Sequence, residues 1–323
     1  MKDAATPRCL ALSGGVGGAK LALGLSRILP PEELLVVANT GDDFEHLGLL
    51  VCPDIDTVIY TLAGLANPET GWGRADESWH FMETLAALGG ETWFRLGDRD
   101  LAVHLERTRR ISAGETLSPV TRDIGRRMGV RPAVAPMSDQ PVRTIVETAG
   151  GPLAFQHYFV REQCAPRVTG FRFEGAERAY PSPAFASALQ GGLASIVICP
   201  SNPFISIDPI LAVPGVREGL RRCGAPIVAV SPIVGGRALK GPTAKMMTEL
   251  GIPSGAAEVA RHYQGLIDGF VLDAGDAADA DAIRRLGPDV LVTETVMQSL
   301  DDKVRLAREV LDFARILRSS ATR

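Results

Sequence analysis

Apolar positions fall along this chain in short continuous runs separated by small, turn-forming residues. Cys9–Ser13 is such a run. GGVGG follows at 14–18, and an apolar stripe through Ala22, Leu25, Ile28 and Leu29 stops at Pro30 and Pro31. That order predicts a strand, a glycine turn and a helix. Leu34–Ala38 is a second apolar run and ends in NTGDD at 39–43. Strand, helix and strand together form a βαβ unit, which implies a parallel sheet.

Residues 54–66 read as helix, and 76–90 and 98–128 as mostly helical with one polar face. Residues 144–148 and 153–160 read as strands, with Gly150 and Gly151 as a hairpin turn between them. This stretch breaks the alternation. It resumes with strands at 194–199, Ile227–Val230, 269–272 and 290–293, separated by helices near 215–223, 243–250, 277–286 and 301–317. The pattern predicts a single α/β unit over 1–323. Its core is 8–66 and 192–323, a mostly parallel sheet flanked by helices, and a smaller, mainly helical insertion lobe occupies about 67–191. No internal repeat is visible, and the last six residues read as frayed.

Length and composition narrow the class. At about 150 residues per domain, 323 residues allow two domains or one large domain with an insertion. With 46% hydrophobic and 22% charged residues the chain is globular, which excludes disordered and fibrous classes. Lys plus Arg number 34 and Asp plus Glu 38, a net charge of −4, so no basic excess exists to hold nucleic acid. The five cysteines are odd in number and lack CxxC spacing, which reads as free thiols in a reducing compartment and not as a zinc site. The N-terminal segment, with Lys2 and Arg8, lacks the apolar core of a signal peptide, and no stretch of 18 apolar residues occurs. The expectation is a cytoplasmic protein without a membrane span, and by base rate a homodimer.

Four strand ends carry the candidate chemistry: SGGVGG, NTGDD, PSNP and SPIVGG. In open parallel sheets ligands bind beyond the carboxyl ends of the strands, so these loops should border one crevice. Gly14, Gly15, Gly17 and Gly18 either cradle an anion at a helix N-terminus, with Lys20 adding charge, or only allow close packing. Neither GxGxxG nor GxxxxGK[ST] fits the loop. Asp42, Asp43, Asp54 and Asp56 form an acid cluster. Carboxylates beside a phosphate loop suit Mg²⁺; alternatively Asp54 or Asp56 caps the helix that follows.

In RLGDRD, Arg95 or Arg99 reaches a phosphate, or the charges are a solvated helix start with Asp98 as cap. His104 and Arg107 fall one turn apart on the same helix face. Ser201 and Asn202 offer donors and acceptors for a base or ribose, or else make a plain turn; Ser231–Pro232 and Lys240–Pro242 stand alike. No nucleophile elbow and no HExxH pattern occurs.

Six blocks in order, GGVGGAKL, VANTGDDFEHLGLLVCPDIDTVIYTLAGL, LGDRDLAVHLERT, PMSDQPVRT, ICPSNPFISIDPIL and VSPIVGGRALKGP, resemble the 2-phospho-L-lactate transferase family of coenzyme F-420 biosynthesis. The resemblance covers residue 9 to about residue 297. It implies a Rossmann-like fold and a transferase of substituted phosphate groups. The terminal ribityl hydroxyl of Fo (7,8-didemethyl-8-hydroxy-5-deazariboflavin) attacks a guanosine-diphosphate-linked donor, GMP leaves, and Mg²⁺ is required. The moiety moved is 2-phospho-L-lactyl, enolpyruvyl-phosphoryl or 3-phosphoglyceryl, a choice the resemblance leaves open. Carried over by position, it implies Asp42 and Asp54 as catalytic Mg²⁺ ligands and Asp56 and Arg95 as Fo contacts. Gly14, Gly15, Gly17, Gly18, Lys20, Ser201 and Asn202 become donor phosphate and guanosine contacts. The rival is a non-catalytic nucleotide- or sugar-nucleotide-sensing regulator on the same fold. The gluconeogenesis-factor-like proteins that represent it resemble DDGGSSG after the second strand, where this chain reads GDDFEHLG.

Overall fold

The computed structural model describes residues 7–238 and 241–321. Most of the signal-peptide reading, including Lys2, and the loop residue Lys240 lie outside the described residues.

The chain opens with β1 (Cys9–Ser13), α1 (Gly15–Ile28) and β2 (Leu34–Ala38), as the pattern predicts. Next come a short hairpin, β3 (Phe44–His46) and β4 (Leu49–Val51), and α2 (Pro53–Ala63). The middle part holds α3 (His80–Ala87), α4 (Asp98–Ser112), α5 (Leu117–Arg127), β5 (Ala133–Pro136), β6 (Arg143–Thr148), β7 (Gly151–Ala154), β8 (Val168–Glu174) and α6 (Pro183–Ala188). Then follow β9 (Ser195–Ile198), α7 (Asp208–Ala212), α8 (Val216–Arg222), β10 (Ile227–Val230), β11 (Ile233–Val234), β12 (Arg237–Ala238), α9 (Thr243–Glu249) and α10 (Ala256–His262). β13 (Gly269–Asp273), α11 (Ala280–Arg284), β14 (Asp289–Thr293) and α12 (Leu300–Ala321) complete the order.

Among the described residues seven strands make one parallel sheet in the order β14-β13-β10-β9-β1-β2-β5. Successive residues feed opposite layers. Leu10, Leu12, Val37, Ile196 and Phe270 enter one apolar core, while Ala11, Val36, Val197, Val228 and Val271 enter the other. Both faces are covered, so the strands read as unbroken apolar runs. The α/β class with a mostly parallel sheet holds. Among the described residues no helix is long and apolar enough to cross a membrane.

The middle part departs most from the sequence reading. Strand β5, inside the span read as a separate lobe, is the sheet edge beside β2. Its four residues end at Pro136 and are too short to stand out from their surroundings. The helical stretch 98–128 is two helices, broken where Gly114 takes φ +92. The strand read at 153–160 ends at Ala154, and the backbone then coils through His157–Arg161. Strand β8, which the reading missed, completes a three-stranded antiparallel sheet in the order β7-β6-β8. The end read as frayed continues α12 to Ala321. All five cysteines are free, with Cys9, Cys52 and Cys199 buried.

Helix α1 packs on α12 through Gly24, where an added Cβ would lie 2.0 Å from the Lys303 carbonyl oxygen. Backbone cannot yield as a side-chain tip can. Gly24→Ala is therefore expected to destabilise the fold by about 1–3 kcal/mol, read as a lower urea midpoint at unchanged slope.

Candidate functional site

The four loops do border one crevice. A cleft of about 810 Å³ is lined by Gly14, Gly15, Gly17 and Lys20 after β1, and by Asp42 after β2. Ser201 and Asn202 after β9, and Ser231 and Pro232 after β10, line it as well. Asp54 and Asp56, from the first turn of α2, line it too. Trp72, Trp93, Phe94, Arg95, Phe155 and Phe159 also line it. Polar strand-end groups and flat aromatic side chains thus border one space.

Asn39, at the end of β2, organises the acids. Its Nδ2 donates to Asp54 Oδ2 at 2.9 Å and to Asp42 Oδ1 at 3.2 Å. Its Oδ1 accepts from the Gly41 N–H at 2.8 Å, which closes the turn. The sequence reading passed over Asn39, because an asparagine after a strand looks like an ordinary turn residue.

Asp54 does not cap its own helix. Its Oδ1 accepts the Gly15 N–H at 2.6 Å, so it caps α1, whose own N-cap, Gly14, has no side chain. Asp98 is likewise displaced: it accepts from Ser78 Oγ and from the His80 and Phe81 N–H groups, and so caps α3. Glu77 returns the favour to α4 through the Arg99 and Asp100 N–H groups. Local spacing assigned these carboxylates to the nearest helix, whereas the fold brings each to a neighbour.

Gly14, Gly15 and Gly17 line the cleft, whereas Gly18, expected as a donor contact, is off its lining and serves packing. A Cβ on Gly17 would lie 2.2 Å from the Pro200 carbonyl oxygen, and one on Gly18 would lie 2.4 Å from Ser13 Oγ and 2.6 Å from Ser201 Oγ. Gly15 takes φ +63, a region other residues rarely adopt. Ser201 Oγ accepts the Gly14 N–H at 3.1 Å and donates to the Gly14 carbonyl at 2.7 Å, tying the β1 and β9 loops together. Asn202 Oδ1 accepts from the Phe204 and Ile205 N–H groups. Lys20 Nζ donates to the Met297 carbonyl at 2.9 Å. Arg95 is exposed, its guanidinium 4.1 Å from the centre of the Trp79 ring. Asp56 is buried and engaged by Arg107 and His104.

Burial governs the electrostatics. It pushes the Asp42 carboxyl well above the usual range, aided by the nearby Asp54 charge and offset by the Asn39 hydrogen bond. Burial likewise raises Asp54 to about 6, against the hydrogen bonds from Asn39 and Gly15. Asp43 and Asp100 are each raised to about 7, again chiefly by burial. Desolvation pushes His104 down to about 4.

A carboxyl raised by folding holds a proton that the unfolded chain has lost. Its contribution to stability is present at low pH and declines as pH rises through the folded value, here about 6 for Asp54. A divalent cation binds the ionised forms, so its affinity rises over the same window. Mg²⁺ held by these carboxyls would therefore raise the melting temperature more at about pH 7.5 than at about pH 5. A thermal-shift series at the two pH values checks this, and equal shifts would contradict it.

A family model described as 2-phospho-L-lactate transferase CofD matches residues 9–303. The phosphoenolpyruvate transferase of Streptomyces griseus is 42% identical over 318 residues, covering 97% of this chain and all of the relative. The 2-phospho-L-lactate transferase of Methanosarcina mazei is 39% identical over 299 residues, covering 93% and 98% respectively. A solved structure of a UPF0052 family member from Bacillus halodurans superposes with a TM-score of 0.61 at 15% identity, covering 94% of this chain and 98% of that one. At that identity the likeness speaks for the fold alone.

Proposed function

The chain belongs to the 2-phospho-L-lactate transferase CofD family, and from that membership we propose that it transfers a phospho-hydroxyacid unit from a guanosine-diphosphate-linked donor to Fo, in coenzyme F-420 biosynthesis. The terminal ribityl hydroxyl of Fo forms a bond to the donor phosphorus next to the small acid. The bond from that phosphorus to the GMP oxygen breaks, GMP leaves, and the hydroxyl proton is lost to the site. The product is a phosphodiester. The small acid is the phospholactyl, enolpyruvyl or phosphoglyceryl unit.

The observation that carries this reading is the meeting of the glycine turn with two buried carboxylates on one amide. Asn39 bonds both Asp42 and Asp54, and Asp54 bonds Gly15. Such transfers ask for positioning and charge compensation more than for covalent work by the protein. The donor diphosphate would face the first turn of α1, where N–H groups lack intrahelical partners. Ser201 and Asn202 would meet the guanosine, and Lys20 lines the same cleft. The aromatic side chains, with Arg95 and Asp56, take Fo.

The donor set fits Mg²⁺. That cation is commonly held by one or two carboxylates and completes its shell with substrate oxygens and water. Asp42 and Asp54 supply two carboxylates, and among the described residues no group of three or more His, Cys, Asp or Glu side chains forms a closed metal cage. Raised carboxyls held together by one amide also suit a place where a cation offsets mutual repulsion. Bound there by Asp42 and Asp54, Mg²⁺ would offset the diphosphate charge and so stabilise the transfer.

Fo fluorescence anisotropy tests the reading. Saturable Fo binding, strengthened by GDP with Mg²⁺ and weakened in Asp56→Ala, is the expected result. A folded protein that leaves Fo free under every condition would overturn it.

A further inference from the structure

Arg107 is the largest fully buried side chain among the described residues. It reaches from α4 to α2 and grips one carboxylate. Nη1 donates to Asp56 Oδ2 at 3.1 Å and Nη2 donates to Asp56 Oδ1. His104, one turn earlier, sets Nδ1 3.6 Å from Asp56 Oδ2 and 3.3 Å from Arg107 Nη1. Asp56 and His104 line the cleft, whereas the Arg107 side chain has 0% exposure and stands behind them.

Stability alone is a poor reason for such an arrangement. A buried ion pair is often no better than apolar residues of the same volume, which could hold α2 against α4 equally well. A guanidinium fork, however, fixes the plane of a carboxylate in a way apolar packing cannot. Each carboxylate oxygen has two acceptor sites, and the fork takes one on each. The others remain for a donor in the cleft.

We propose that Arg107 is a positioning residue for the acceptor substrate. Its fork sets Asp56 so that the carboxylate edge on the cleft accepts an N–H or O–H of the deazaflavin. This rests on the function proposed above and deepens it. Arg107 touches no substrate and acts through Asp56 alone.

The test is a cycle of Arg107→Lys, Asp56→Asn and the double variant, with acceptor and donor varied separately. Each single change is expected to raise KM for Fo by about 10- to 100-fold and to leave KM for the donor within about twofold, since the Asp56 carboxylate is bonded to Arg107 whereas the glycine turn is bonded to Asp54. The double variant should be no worse than Asp56→Asn, because the two residues act as one unit. Melting curves confirm folding. Should Arg107→Lys fail to fold, Arg107→Gln, which keeps a donor and loses the fork, takes its place in the cycle. An unchanged KM for Fo in a folded Arg107 variant, equal losses for donor and acceptor, or losses that multiply in the double variant would each overturn the proposal. Wild-type protein that fails to bind Fo at all would overturn the functional reading instead, so the two failures are distinct.

Discussion

Asp42→Asn is expected to lower kcat by about 100-fold or more while leaving the melting temperature unchanged or higher. The two halves have one cause. Asp42 is buried, and the Asp54 charge beside it makes ionisation costly. An amide of the same shape removes that repulsion and can still accept from Asn39 Nδ2 through its oxygen. What it cannot supply is negative charge for a cation. Functional sites often hold such stored cost, which is why stabilising substitutions there reduce activity. The checks are turnover at saturating substrates with Mg²⁺, and thermal melting without it. A folded variant with a near-normal rate would contradict the role given to Asp42.

Asn39→Asp is expected to have the opposite profile, with fold and activity lost together. The substitution replaces the Nδ2 donor by an oxygen and sets a third carboxyl against Asp42 and Asp54 in a buried position. Leaving a buried charge uncompensated costs about 3–5 kcal/mol. The penalty should shrink below about pH 5, where the added carboxyl can be protonated. Urea titrations at neutral and acid pH measure it directly. A stability equal to the wild type at neutral pH would mean that the amide does not hold the two acids together.

These two residues differ in how well the chain announces them. Asp42 lies in GDD after a strand, and a carboxylate beside a glycine loop already suggests a cation site. Asn39 gives no such signal, since its partners Asp54 and the Ile205 carbonyl lie 15 and 166 positions away. The same division runs through the fold. Strands β1, β2, β9, β10 and β13 are buried on both faces, so they appear as apolar runs and are legible, whereas the half-exposed edge strand β14 is legible from its VLV run alone. β5 and β8 are short or lie in a sheet of uneven burial, and β3 and β4 have three residues each. At such lengths neither period nor run stands out.

The crevice was legible because strand ends in a parallel sheet must share an edge. Its internal wiring was not. Ser201 meets Gly14 across 187 positions, and Asp56 meets Arg107 across 51. The glycine loop shows the limit most clearly. Its sequence allowed either close packing or an anion cradle, and the structure gives Gly17 and Gly18 the packing role while leaving Gly14, Gly15 and Gly17 on the cleft wall.

The most direct test of the central claim is a turnover measurement: purified protein, Fo, Mg²⁺ and each guanosine-diphosphate-linked donor in turn, with GMP and the Fo phosphodiester quantified together. One GMP released per Fo consumed, with one of the three donors and only when Fo and Mg²⁺ are present, is the predicted result. Nucleotide binding by folded protein with no GMP released from any donor would contradict the transferase account and favour a nucleotide-sensing role for the same cleft.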